Sequence, residues 1–89
     1  MYLAKVIGTV VSTTKDVSLS GMKLLIIRCL NAQLQPEQFT EVAVDTVGAG
    51  NGEIVIVSKG SSARLANHKD HSVIDAAIVG IVDTTELAE

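Results

Sequence analysis

Three stretches of this chain are aliphatic on both faces that a β-strand presents. Residues 24–30 offer Leu24, Ile26 and Leu30 to one side and Leu25, Ile27 and Cys29 to the other. Ile54 and Ile56 alternate with Val55 and Val57. Ala76, Ile78, Gly80 and Val82 alternate with Ala77, Val79 and Ile81. Continuous runs of this kind mark strands buried on both faces. β-branched residues fit them, because their stiff side chains pack well on a pleated surface. Yet 89 residues make one small domain, whose own core covers only part of its apolar surface. Exposing one Val, Leu or Ile instead of burying it forfeits about 1.5–3 kcal/mol. Several together would form a patch that monomers rarely carry. Neighbouring copies are therefore expected to cover the outer faces.

The elements follow from this pattern. A first strand is expected over residues 3–13, with Gly8 marking a bend or bulge. A loop spans 14–21, with Lys15 and Asp16 at its tip, and a second strand spans 23–30. The polar stretch 33–38 holds the sole proline, Pro36, and reads as a connecting loop. In the third strand, 41–47, Val42 and Val44 face one way and Glu41 and Asp45 the other, the acidic pair reading as outward. Gly48, Ala49, Gly50, Asn51 and Gly52 form a glycine-rich turn into a fourth strand, 53–58. Gly60 permits a sharp break, after which Ser61 or Ser62 caps a short helix running through Arg64 to about residue 67. A polar loop, 68–72, leads to a fifth strand, 75–83. Five strands with one short helix between the fourth and fifth give an all-β, OB-like barrel. Residues 1–83 form that domain, and 84–89 a short acidic tail; Asp83, Glu86 and Glu89 charge the chain's last seven residues.

Motifs that would carry chemistry are weak. The glycine cluster runs straight into Glu53 and a strand, whereas a phosphate loop needs a helix there and a P-loop needs a lysine. A tight turn with positive φ, or a close backbone approach to another subunit, explains it better. His68 and His71, with Asp70 and Asp75, could in principle ligate a metal, but they read as a solvated loop. Ser61 and Ser62 match no nucleophile arrangement, and Glu41 with Asp45 has no second motif to support acid–base work. No enzyme, cofactor or metal is expected.

The net charge is −3, and the aromatics are Tyr2 and Phe39 alone. An OB-type module for single-stranded nucleic acid needs a basic groove and stacking rings, so it stands only as the alternative function. Cys29 is the sole cysteine and reads as a small core residue, consistent with a reducing, intracellular compartment. No signal peptide or membrane-length apolar run is visible.

The block running from Val42 to Val57 through Gly48, Gly50, Gly52 and Glu53 resembles the signature of the EutN/CcmL family of bacterial microcompartment vertex proteins. Gly60, Ser61, Ser62, Ala63 and Arg64 follow at the family spacing. The opening, with Gly8, Thr9, Lys15, Gly21 and Lys23, and the close, with Asp75, Gly80 and Asp83, resemble it too. Val73 departs from it, since relatives often carry proline before the aspartate, and the tail lacks the longer extension of some carboxysome members. The resemblance implies a pentamer at the corners of a cytoplasmic polyhedral shell whose facets are hexameric shell proteins. It also implies that Gly48, Ala49, Gly50, Asn51, Gly52 and Glu53 lie near subunit contacts or a central opening. Arg64 would bridge to a neighbour's carboxylate, a task its planar fork suits.

Overall fold

Alternating aliphatic residues on five short strands can bury one face completely only by closing the sheet, and this chain does so. The computed structural model describes residues 1–13, 15–66 and 73–88. Strands β1 (Tyr2–Val10), β2 (Leu24–Leu30), β3 (Pro36–Asp45), β4 (Ile54–Lys59) and β5 (Ala76–Ile81) form a closed barrel in the order β1-β2-β3-β5-β4. Helix α1 (Gly60–Ala66) joins β4 to β5, and a 3-10 turn (Val17–Leu19) precedes β2. Pairings are antiparallel except between β3 and β5, which run parallel through Val44 with Ala77 and Asp45 with Ile78.

Val6, Leu25, Ile27, Val55, Val57 and Ile78 are the largest side chains filling the lumen, each at most 1% exposed. A five-stranded barrel is narrow, and branched aliphatics fill it where rings would not fit. This is the physical reason for an aliphatic composition with two aromatics. Outside the barrel, Val44, Ala63, Ile74 and Ala77 form a second buried cluster, with Leu19, Met22 and Leu24 packed on it. The helix and the 3-10 turn thus cover part of the wall. The rest stays open: Ile7 and Val42 are exposed, while Ile26, Ile54 and Ile56 are half-buried.

Gly8 does mark a bulge: the β1–β2 register shifts between Val6 and Gly8. A second shift occurs between β4 and β5 beside Gly80. Each glycine faces an isoleucine of the adjacent strand, Ile26 over Gly8 and Ile56 over Gly80.

Several expected boundaries move. Strand β3 starts at Pro36, so the supposed 33–38 loop is half strand. Proline is tolerated there as a strand's first residue. The real turn is held by Asn31, whose side-chain oxygen accepts from the Gln33 and Gln35 amides at 2.9 and 3.0 Å, with Leu34 at φ +63°. At the other end β3 stops at Asp45, because its carboxylate draws in the Val47 and Gly48 amides. Strand β1 ends at Val10 and β5 at Ile81, short of the expected 13 and 83. Helix α1 begins at Gly60 itself, at φ +63°. The expected helix end at 67 and the loop 68–72 lie outside the described residues.

The facing of β3 is also the reverse of the expectation. Ala43 sits in the lumen core, so Glu41 and Asp45 share the lumen side and Val42 and Val44 form outer wall. Both carboxylates lie at the ends of the lumen, where polar partners reach them.

Candidate assembly surface

The turn after β3 is pinned to one barrel end by a dense set of bonds. Gly48 and Gly52 take φ of +81° and +86°, which side chains rarely adopt. Gly50 has no such φ; its amide donates to the Glu53 carboxylate at 2.6 Å, and the Glu53 amide returns to the Gly50 carbonyl at 3.2 Å. The Gly52 amide donates to the Val6 carbonyl and the Val6 amide to the Glu53 carbonyl, which ties the turn to β1. Ala49 drops into the core with no exposure, and its carbonyl accepts from Lys23 Nζ at 2.9 Å. Gly48, Asn51 and Gly52 remain exposed. The turn is therefore rigid backbone with almost no side-chain bulk above it.

Arg64 is not part of this constellation. It sits on α1, which leaves β4 at Lys59, the end away from the turn. Its Nη1 donates to the Ile74 carbonyl at 3.2 Å and ties the helix to the approach of β5. Ser61 and Ser62 are exposed on the same helix. His68, Asp70 and His71 lie outside the described residues, and Asp75 is engaged by Lys59 instead.

The opposite barrel end holds a cluster that sequence reasoning missed. The Tyr2 hydroxyl donates to the Glu41 carboxylate. Lys59 Nζ binds both Glu41 oxygens, at 3.0 and 2.6 Å, and Asp75 at 3.2 Å. Burial, then the Glu41 hydrogen bond and charge, drives the Tyr2 pKa far above its usual range. The hydrogen bond to Glu41 holds Lys59 above the usual lysine value. Phe39 stands edge-on to Tyr2 with ring centres 6.2 Å apart. The signal for this cluster was the parity of Glu41: once Ala43 is lumenal, Glu41 must point the same way. An apolar recess lined by Leu19, Leu24, Val42, Val44, Val73 and Ile74 has Asp75 as its one charged residue among the described ones.

Comparison with known proteins agrees with the barrel. The family model described as ethanolamine utilisation protein EutN/carboxysome matches residues 1–83. The bacterial microcompartment shell vertex protein GrpN of Rhodospirillum rubrum is 71% identical over 86 residues, covering 97% of each chain. The shell vertex protein PduN of Salmonella typhimurium is 52% identical, covering 94% of this chain and 97% of its own. Among solved structures, the GrpN pentameric microcompartment shell protein superposes with a TM-score of 0.92 at 67% identity, covering 99% of this chain and 100% of its own. The carboxysome subunit CcmL gives 0.94 at 49% identity, with coverage of 99% and 92%. A closed five-stranded barrel with one helix after the fourth strand, matched over residues 1–83 by the family model and at this identity by the relatives, places the chain in the EutN/carboxysome family.

Proposed function

We propose that the chain is a structural vertex protein of a bacterial microcompartment shell in the cytoplasm, built as a ring of five copies that meets hexameric shell tiles. The observation that carries this reading is the outer wall. After α1 and the 3-10 turn have covered one side, Ile7 and Val42 are still exposed, with Ile26, Ile54 and Ile56 half-buried among them. Ring formation buries such a wall, and a cyclic ring joins two different patches head to tail. A flat hexagonal sheet cannot close without five-fold points, which gives a pentamer its place in a shell. The relatives with the same barrel are shell vertex proteins, and the matched GrpN structure is pentameric.

Within the ring, Gly48, Gly50, Asn51 and Gly52 supply low-relief backbone at the subunit contacts or the central opening. Ala49 contributes only its backbone, since its side chain is core, and Glu53 holds the turn's shape. Arg64 reaches a neighbour's carboxylate from α1. The nucleic-acid alternative gains no support: the Tyr2–Phe39 pair stands beside the Glu41 carboxylate, not in a basic groove. Native mass spectrometry of the purified chain tests the ring. Five copies are expected, and a folded single-copy protein at high concentration overturns the reading.

A further inference from the structure

Lys5 of β1 and Arg28 of β2 are directly opposite each other on the outer wall. Like charges in that position repel. Two other cations have carboxylate partners, Lys23 with Asp45 and Lys59 with Glu41 and Asp75, while Lys15 and Arg64 donate to backbone carbonyls. Among the described residues no carboxylate pairs with Lys5 or Arg28, and Arg28 donates only to the backbone carbonyl of Glu37. Apolar residues flank the pair, Ile54 beside Lys5 and Ile26 two places from Arg28 on the same face. If a neighbour covers this wall, both cations lose water and need an anion.

Most carboxylates are already committed. Glu41 and Asp75 hold Lys59, Asp45 and Glu53 hold the turn, and Asp16 accepts from the Ser18 amide. Among the described residues Glu37, Asp83 and Glu86 are not; Glu37 sits on the exposed start of β3, where only its backbone carbonyl meets Arg28. Asp83 and Glu86 lie on the segment after β5, where residues 83–88 are all exposed, and Leu87 beside them is 51% exposed. The segment starts next to the wall, since the Val82 amide donates to the Ile54 carbonyl. Six extended residues span at most about 20 Å, comparable to the 21 and 23 Å widths of the subunit.

We propose that the acidic C-terminal segment of one copy, through Asp83 and Glu86, docks on the Lys5–Arg28 pair of the next copy. Leu87 then has Ile26 and Ile54 as an apolar bed. The proposal rests on the ring reading and adds to it the two patches that meet.

Charge swapping tests it. One variant carries Lys5→Glu with Arg28→Glu; the other carries Asp83→Lys with Glu86→Lys. Each alone puts like charges at every junction, and the subunit concentration for half-dissociation should rise about tenfold at low salt. Mixed together, the two variants place opposite charges at all but one junction of a five-membered ring. Native mass spectrometry should then show rings containing both chains, with resistance to dilution restored. Weakening without rescue on mixing puts the contact inside one subunit and overturns the proposal, as does no weakening at all. Should a variant fold poorly, wild-type rings assembled from isotopically light and heavy chains are treated with a zero-length carbodiimide cross-linker. A link from Lys5 to Asp83 or Glu86 between light and heavy copies is expected; links only within one copy, or none, overturn it. A wild-type chain that forms no ring defeats the ring reading itself, a result distinct from a ring that survives both charge reversals.

Discussion

Gly80 lies directly under Ile56: a Cβ placed on Gly80 would stand 3.2 Å from Ile56 Cδ1. Gly8 has the same relation to Ile26, but with 3.5 Å of room. The two positions look alike in sequence and differ in consequence. Gly80→Ala must push Ile56 outward by a few tenths of an ångström, and overpacking of this kind costs about 1–3 kcal/mol. Gly8→Ala meets only ordinary van der Waals contact and should change stability by less than about 1 kcal/mol. Urea denaturation of both variants checks the contrast. Equal loss at the two sites would show that the Ile56 contact does not control the effect.

The glycine turn separates into two kinds of position. Gly52 sits at φ +86°, and forcing a side chain there costs about 1–2 kcal/mol. Gly52→Ala should therefore destabilise the folded chain itself, visible in urea melts. Gly50 has ordinary φ and only the Glu53 carboxylate oxygen near its missing Cβ, at 3.5 Å. Gly50→Val should leave the barrel folded by circular dichroism and impair ring assembly. A Gly50→Val protein that stays fully pentameric in sedimentation would remove this turn from the subunit contacts.

Arg64 offers two roles that one variant can separate. Its bond to the Ile74 carbonyl fixes α1 against the approach to β5, and losing it costs about 0.5–1.5 kcal/mol. A bridge to a neighbour would add a loss that depends on subunit concentration. Arg64→Ala should lower both the melting temperature and the resistance of the ring to dilution. If dilution behaviour is unchanged while the melting temperature falls, Arg64 serves its own subunit alone.

The barrel was legible because the continuous aliphatic runs around Leu25, Val55 and Ile78 mark strands whose two faces are both covered. Gly8 betrayed its bulge through being the one residue of the run from Val6 to Val10 without a β-branched side chain. The start of β3 was hidden, because residues 36–40 are exposed and carry no apolar period. A polar stretch with a proline then looks like a loop, although hydrogen bonding to β2 makes it a strand. Glu41 misled for a related reason. Carboxylates usually face water, but at a barrel's end a lumen-side carboxylate can meet a hydroxyl and an ammonium. The Lys5–Arg28 opposition depends on register, which the bulge at Ile7 sets and which sequence alone does not give.

The Tyr2–Glu41–Lys59 cluster predicts where the fold fails in alkali. Tyr2 is protonated well past its ordinary value of 10.0 because of burial first and the Glu41 carboxylate second. Lys59 is held above 10.5 chiefly by its hydrogen bond to Glu41. Both folded-state values are raised, so both groups bind protons more tightly when folded. Their contribution is fully present below the unfolded values and is lost as pH climbs through and beyond them. Stability should be level through neutral pH and fall above about pH 10. Tyr2 is the sole tyrosine, so tyrosinate absorbance reports this site alone. Its appearance should coincide with unfolding measured by circular dichroism, not precede it. Tyr2→Phe should flatten the alkaline slope and cost about 0.5–1.5 kcal/mol at neutral pH, since Glu41 keeps Lys59. Tyrosinate forming near pH 10 in a barrel that is still folded would show that neither burial nor Glu41 restrains the hydroxyl.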